Sequence, residues 1–208
     1  VPAWSVKAPN DPIAVNILAD ALSESDLNIR HTLRVLFNSE FFKNARFKKL
    51  KSPAEVVIGT LRLVGGSDFP GPGFGNLSRQ TGYMGQELLN PPSVEGWHTG
   101  IEWINSGSLM RRTNFFTGTI SKSYLPGIKK MIAWVRKQET NSAEEFVDIC
   151  LSLFGPLEID NPTHDELTKH VNRQGVFERD DLKTPRVETE DIIELLQLIV
   201  SLREYQFA

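Results

Sequence analysis

Apolar residues recur along this chain at three- and four-residue intervals, the spacing of one helix face, and capping residues punctuate the pattern. Asn10-Asp11-Pro12 sets a cap before a proline at the first helical position, and Ile13, Ile17, Leu18, Ala21 and Leu22 form the following stripe. A second helix is predicted over Leu27–Asn38, with Ile29, Leu33, Leu36 and Phe37 facing inward and Phe41, Phe42 and Phe47 continuing the apolar run. Ser52-Pro53-Ala54-Glu55 is the sharpest start signal. Ser52 can accept from the Glu55 N–H, Glu55 can reach back to Ser52, and Pro53 occupies the first turn. That helix should carry Val56, Val57, Thr60, Leu61 and Val64 and stop at Gly65-Gly66.

Residues 65–75 are rich in Gly and Pro and predict a loop. The loop could offer N–H groups to a phosphate, but it lacks the Gly-Lys-Ser/Thr ending of a P-loop and follows no strand, so a connector is expected. A helix is predicted from Asn76 to about Leu89, and Pro91-Pro92 then force an extended segment up to Gly96-Trp97. Asn105 or Ser106 can cap a helix bearing Leu109, Met110, Phe115 and Phe116, and Leu125–Gln138 reads as another, with Ile128, Met131, Ile132 and Val135 as its stripe. Ser142 can cap a helix with Phe146, Ile149, Cys150 and Leu153 that ends at Gly155-Pro156. Thr163-His164-Asp165-Glu166 predicts a further start, Gly175 a stop, and Gly175–Glu188 a charged connector. Thr189 or Glu190 opens a last helix through Ile192, Leu195, Leu196, Ile199 and Val200. The expected fold is all-α, an irregular bundle of about eight or nine helices with long loops, with Trp97 and Trp103 bridging its middle.

Composition changes this picture little. In 208 residues, 40% hydrophobic and 24% charged positions suit a packed domain and argue against disorder. The longest apolar stretch, near Leu195–Leu202, is far shorter than the roughly 20 residues that span a bilayer. A single cysteine, Cys150, excludes an internal disulfide framework and a thiolate zinc site. Charge is more informative, because the net −3 conceals +7 over residues 1–138 and −10 over 139–208. We therefore expect a helical core region, 1–138, with an acidic helical subregion, 139–208, packed on it. The chain opens Val-Pro-Ala-Trp, without Met or the layout of a signal peptide, as expected of a processed product or a piece of a longer protein.

Candidate chemistry gathers around the Gly-Trp segment. Trp97 and Trp103, flanked by Glu95, His98, Glu102 and Asn105, could make an aromatic floor with polar walls, on which a sugar ring stacks. The competing expectation is structural: both indoles fill an interhelical crossing, Pro91-Pro92 stiffen it, and Asn105 caps a helix. Arg111 and Arg112, with the cluster Lys43, Arg46, Lys48, Lys49 and Lys51, could hold phosphate or carboxylate groups, or pair with carboxylates inside the domain. An acidic pI and aromatics not interleaved with basic residues argue against nucleic acid. The sequence has no Gly-x-Ser-x-Gly elbow and no His-Glu-x-x-His helix. His164 and His170 stand about 600° apart around a helix, so they cannot form a metal pair. No cofactor and no metal site is expected.

Met84-Gly85-Gln86-Glu87-Leu88-Leu89-Asn90-Pro91-Pro92-Ser93-Val94-Glu95-Gly96-Trp97, followed by Gly100, Trp103-Ile104-Asn105-Ser106 and Leu109–Arg112, resembles the bacterial family called "domain of unknown function 1800". Lys51–Glu55, Ser39–Phe41 and the Glu204-Tyr205-Gln206-Phe207 ending are similar to further family features. The resemblance is most specific over Asp11–Phe116 and implies that the chain is the carboxy-terminal half of a longer, exported or cell-envelope protein. It also implies partners: the missing amino-terminal half and a sulfatase-like neighbour. The functional expectation is a non-catalytic interaction or scaffold region that binds a partner protein or a surface polysaccharide. The alternative is part of an enzyme acting on glycans or sulfated substrates, with its catalytic groups elsewhere.

Overall fold

A computed structural model describes residues 11–65, 74–177 and 187–207. Among them are ten α-helices, nine of at least seven residues, and no strand. The order is α1 (Pro12–Glu24), α2 (Ile29–Asn38), α3 (Glu40–Lys43), α4 (Pro53–Leu63), α5 (Phe74–Tyr83), α6 (Ser106–Ile120), α7 (Pro126–Val135), α8 (Ala143–Ser152), α9 (Asn161–Arg173) and α10 (Thr189–Ser201). One-turn 3₁₀ helices lie at Gly100–Trp103 and Glu204–Gln206. The all-α expectation holds.

The caps explain many of the boundaries. Asp11 accepts from the N–H groups of Ile13 and Ala14 ahead of Pro12. Ser52 and Glu55 form the reciprocal box at α4, and Ser142 caps α8. Each satisfies N–H groups that the first helical turn leaves without partners. Several boundaries differ from the sequence expectation, among them the start of α2, at Ile29 rather than Leu27, whose φ of +60° is left-handed. The predicted helix to Leu89 ends at Tyr83, because the chain turns at Gly85 with φ of +99°. Helix α9 starts at Asn161 rather than near Thr163, because Asp160 accepts from the Thr163 N–H and Pro162 fits the first turn. Helix α10 starts at Thr189, as expected, and Glu188 before it forms a box with Asp191. The 65–75 loop and the Gly175–Glu188 connector lie largely outside the described residues.

The core is built around α10. Ile192, Leu196, Ile199 and Val200 are wholly buried, and so are Phe146, Val147 and Cys150 of α8. Val56 and Val57 of α4, Phe116 and Ile120 of α6, and Ile128 and Val135 of α7 complete the same cluster. The apolar cluster thus runs through both the basic and the acidic stretches of sequence. Burial holds the Cys150 thiol far above its ordinary pKa, so it acts as a small apolar filler.

Two expectations about the interior fail. The inward face predicted for α2 looks outward: Ile29, Leu33 and Phe37 are exposed, and only Leu36 is half-buried. Helices α1 and α2 pack on each other, Ala14 and Ala21 of α1 are buried, and neither helix contributes to the central apolar cluster. The tryptophans also do not bridge the middle. Trp103 is buried beside the start of α6 but outside that cluster, and Trp97 is half-buried at the rim.

Candidate functional site

The segment from Met84 to Asn105 is a long loop held by its own hydrogen bonds. Met84 is buried in the core, and Gly85 then reverses the chain beside the Trp103 ring. Gln86 turns back to accept from the Ala54 N–H at 2.8 Å, filling an open donor at the start of α4. The Trp97 indole N–H donates to the Glu87 carbonyl at 3.0 Å, and an isolated bridge joins Ser93 to Gly96. Asn105 accepts from the Ser108 N–H at 2.9 Å and so caps α6, while the Ser108 hydroxyl donates to the Trp103 carbonyl at 2.7 Å. Trp103 is only 6% exposed, while Trp97 keeps part of its ring in solvent. Replacing Trp97 with Phe, which keeps a ring but removes the donor, should lower stability by about 0.5–1.5 kcal/mol in thermal melts.

The polar residues of the loop are peripheral. Glu95 is exposed, and its N–H donates to the Ser93 hydroxyl at 3.2 Å. His98 is exposed and sits 3.5 Å from the Glu102 carboxylate. Arg111 and Arg112 are adjacent in sequence but have opposite fates. Arg111 lies on the surface with its guanidinium 5.1 Å above the Tyr83 ring. Arg112 is fully buried.

Arg112 belongs to a tie that local patterns did not reveal. Its Nη1 donates to the Lys51 carbonyl at 2.8 Å, and the Lys51 N–H donates to the Gln206 carbonyl at 2.9 Å. The Lys51 ammonium donates to the Tyr205 carbonyl at 2.7 Å and lies 4.2 Å above the Tyr205 ring. Tyr205 in turn meets Phe116 edge-on at 4.9 Å and Phe154 at 5.4 Å. Residues 51–55, Gln86, α6 and the C-terminal turn therefore meet at the head of α4. These are the segments, far apart in sequence, that carry the family resemblance.

Burial dominates the electrostatics of this tie. It pulls the Arg112 guanidinium down to about 10 and lowers the Lys51 ammonium, each partly offset by the Glu55 charge. Arg112 therefore stays charged at neutral pH. Among the described residues, Arg112 Nε and Nη2 and the Gln206 side-chain amide make no hydrogen bond. Burial pushes Glu55 up, but the Lys49 ammonium and hydrogen bonds from Ser52 outweigh it and hold the carboxyl below its ordinary value.

A second concavity lies behind the C-terminal turn. It is an open cleft of about 400 Å³, with Arg46, Phe47 and Lys48 on one side and Arg203, Glu204 and Phe207 on the other. Leu157 and Glu158 close it, and the isolated bridge between Leu50 and Phe207 fixes the two sides together. Phe47 has φ of +57°, a left-handed conformation that costs a non-glycine residue about 1–2 kcal/mol. Arg46 and Lys48 were in the basic cluster read from sequence, Phe47 in an apolar run and Phe207 in the family-like ending, whereas nothing in the local sequence marked Arg203 or brought these residues together.

Among the described residues, no group of three or more His, Cys, Asp or Glu side chains is arranged to hold a metal ion. His164 meets Asp148 at 2.9 Å and His170 meets Glu194 at 3.0 Å, so the two imidazoles face different partners. No described helix is long and apolar enough to cross a membrane.

The class these features define is an all-helical domain whose distant segments are fastened at one buried polar tie. The chain belongs to the family described as "Protein of unknown function (DUF1800)", whose model matches residues 3–207. No curated protein and no solved structure matches it.

Proposed function

We propose that this domain is a non-catalytic interaction module that docks a partner protein on the aliphatic rim of the Met84–Asn105 loop. The observation that carries this reading is the exposure of Leu89 (96%), Val94 (107%) and Ile101 (74%), all on one loop that is otherwise tied down by hydrogen bonds. Aliphatic side chains held in water on a fixed frame favour a protein surface as partner. The left-handed φ of +66° at Leu89 adds to this, because it holds an apolar side chain outward at a conformational cost. The outward apolar residues of α1 and α2 suit the same scaffold role. A polysaccharide is the weaker reading, since sugar rings stack on flat aromatic faces and Trp103 is turned inward.

The test is site-specific photo-crosslinking from position 94, in the complete polypeptide in its own cells. A discrete protein adduct is expected, and Leu89→Asp with Ile101→Asp should abolish it. Both positions are exposed, so the circular dichroism spectrum and melting temperature should scarcely change. Absence of any protein adduct, together with glycan-array binding that Trp97→Ala removes, would replace this reading with the polysaccharide one. Hydrolase activity lost on changing Glu95, His98 or Arg112 would replace it with the enzymatic one.

A further inference from the structure

The cleft behind the C-terminal turn combines three observations that the docking role does not use. Its volume, about 400 Å³, lies within the range of small-ligand sites. Its charges are unevenly satisfied. Arg46 is paired with Glu158 at 2.7 Å, whereas among the described residues no carboxylate pairs with Lys48 or Arg203. Its apolar surface is unusual too, since Phe47 is held in the left-handed region at the cleft and each ring carries a guanidinium. Arg46 lies 4.9 Å above Phe47, and Arg203 lies 6.0 Å above Phe207. Backbone strain of this kind persists where the surroundings over-determine a conformation, and ligand clamps are one such setting.

We propose that this cleft binds a monoanion with an apolar body, an aromatic or aliphatic carboxylate. Arg203 and Lys48 take the carboxylate, and Phe47, Phe207 and Leu157 cover the body. One charge is favoured over several because Glu204 and Glu158 line the same cleft. Against the three cations they leave an excess of one positive charge. A guanidinium matches a carboxylate through two parallel N–H donors, which is the geometry that makes Arg203 the principal anchor. The same chemistry is presented by a free small acid and by a polypeptide ending in a hydrophobic residue.

The experiment is an NMR titration of the whole chain with benzoate at constant ionic strength, following the amides of Phe47, Lys48 and Phe207. Benzamide serves as the neutral isostere. Saturable shifts with benzoate are expected, with benzamide weaker by about tenfold or more, since a hydrogen bond to a charged group contributes at least that factor. Arg203→Gln should weaken benzoate by a similar factor, and Lys48→Gln by less. Both side chains are exposed, and a melting curve establishes that each variant folds. A short peptide ending in Phe, compared as acid and amide, separates the two sources. Tighter binding of the acid than of benzoate assigns the cleft to a chain end, and weaker binding assigns it to free acids. Equal affinity for benzoate and benzamide, undiminished benzoate binding in the folded Arg203→Gln protein, or shifts that never saturate would each overturn the proposal.

Discussion

Tyr205→Ala is expected to destabilise the domain by about 3–5 kcal/mol, the range for removing a large aromatic ring from a core. For a chain of this length that corresponds to a fall in Tm of roughly 10 °C. The reason lies in how much one ring joins. Its edges meet Phe116 from α6 and Phe154 beyond α8, and the Lys51 ammonium lies over its face. Losing it removes two aromatic pairs and leaves a half-buried ammonium without its cation–π partner. The hydroxyl matters far less. Burial pushes the phenol up to about 12, so it is neutral at ordinary pH, and Tyr205→Phe should change stability by less than about 1 kcal/mol. Thermal or urea unfolding of the two variants measures the difference directly. Equal and small losses would mean that the C-terminal turn is not fastened to the core.

Gly127→Ala should be as damaging for a different reason, with an expected loss of about 3 kcal/mol or failure to fold. Gly127 lies in the first turn of α7, where its N–H donates to the Val64 carbonyl at 2.9 Å. A Cβ there would meet Leu63 O and Val64 C at 2.4 Å and Val64 Cα at 2.7 Å. All three are backbone atoms, so no side chain can swing aside. The end of α4 and the start of α7 would have to separate and the hydrogen bond would break. Gly59→Ala is the control. A Cβ at Gly59, inside α4, meets nothing within 4 Å, so that change should stabilise the domain by up to about 1 kcal/mol through helix propensity alone. Opposite signs in urea titrations are the expected outcome. Comparable losses would show that the close approach of α4 and α7 is relaxed in solution.

What the sequence disclosed and what it concealed divide by distance along the chain. The Ser52–Glu55 box, the Asn105 cap and the Pro12 start were legible because each is completed within four residues. The start of α9 was misplaced because Asp160 and Thr163 are both plausible caps, and only the backbone decides between them. Periodicity correctly marked one apolar face on α2, but periodicity says that a face exists and not what covers it. Ile29, Leu33 and Phe37 consequently point into solvent. Arg111 and Arg112 look equivalent in sequence, yet a step of 100° around α6 sends one over Tyr83 and the other into the interior. The family resemblance had already assembled Lys51–Glu55, Gln86, Arg112 and the Tyr205–Phe207 ending as separate features. Their meeting at the head of α4 depends on contacts such as that from Lys51 to Tyr205, 154 residues apart, which no local pattern records. The Phe47–Phe207 cleft was hidden for the same reason.

These signature segments form an internal fastening, with Arg112, Lys51 and the C-terminal turn joined at the head of α4. Native-state amide hydrogen exchange at Lys51 tests this most directly, because its N–H is the strap between the head of α4 and the Gln206 carbonyl. This amide is expected to open only with global unfolding, at the same free energy as the amides of Ile199 and Val200 in α10. Exchange as fast as that of the exposed loop residues around Val94 would contradict it.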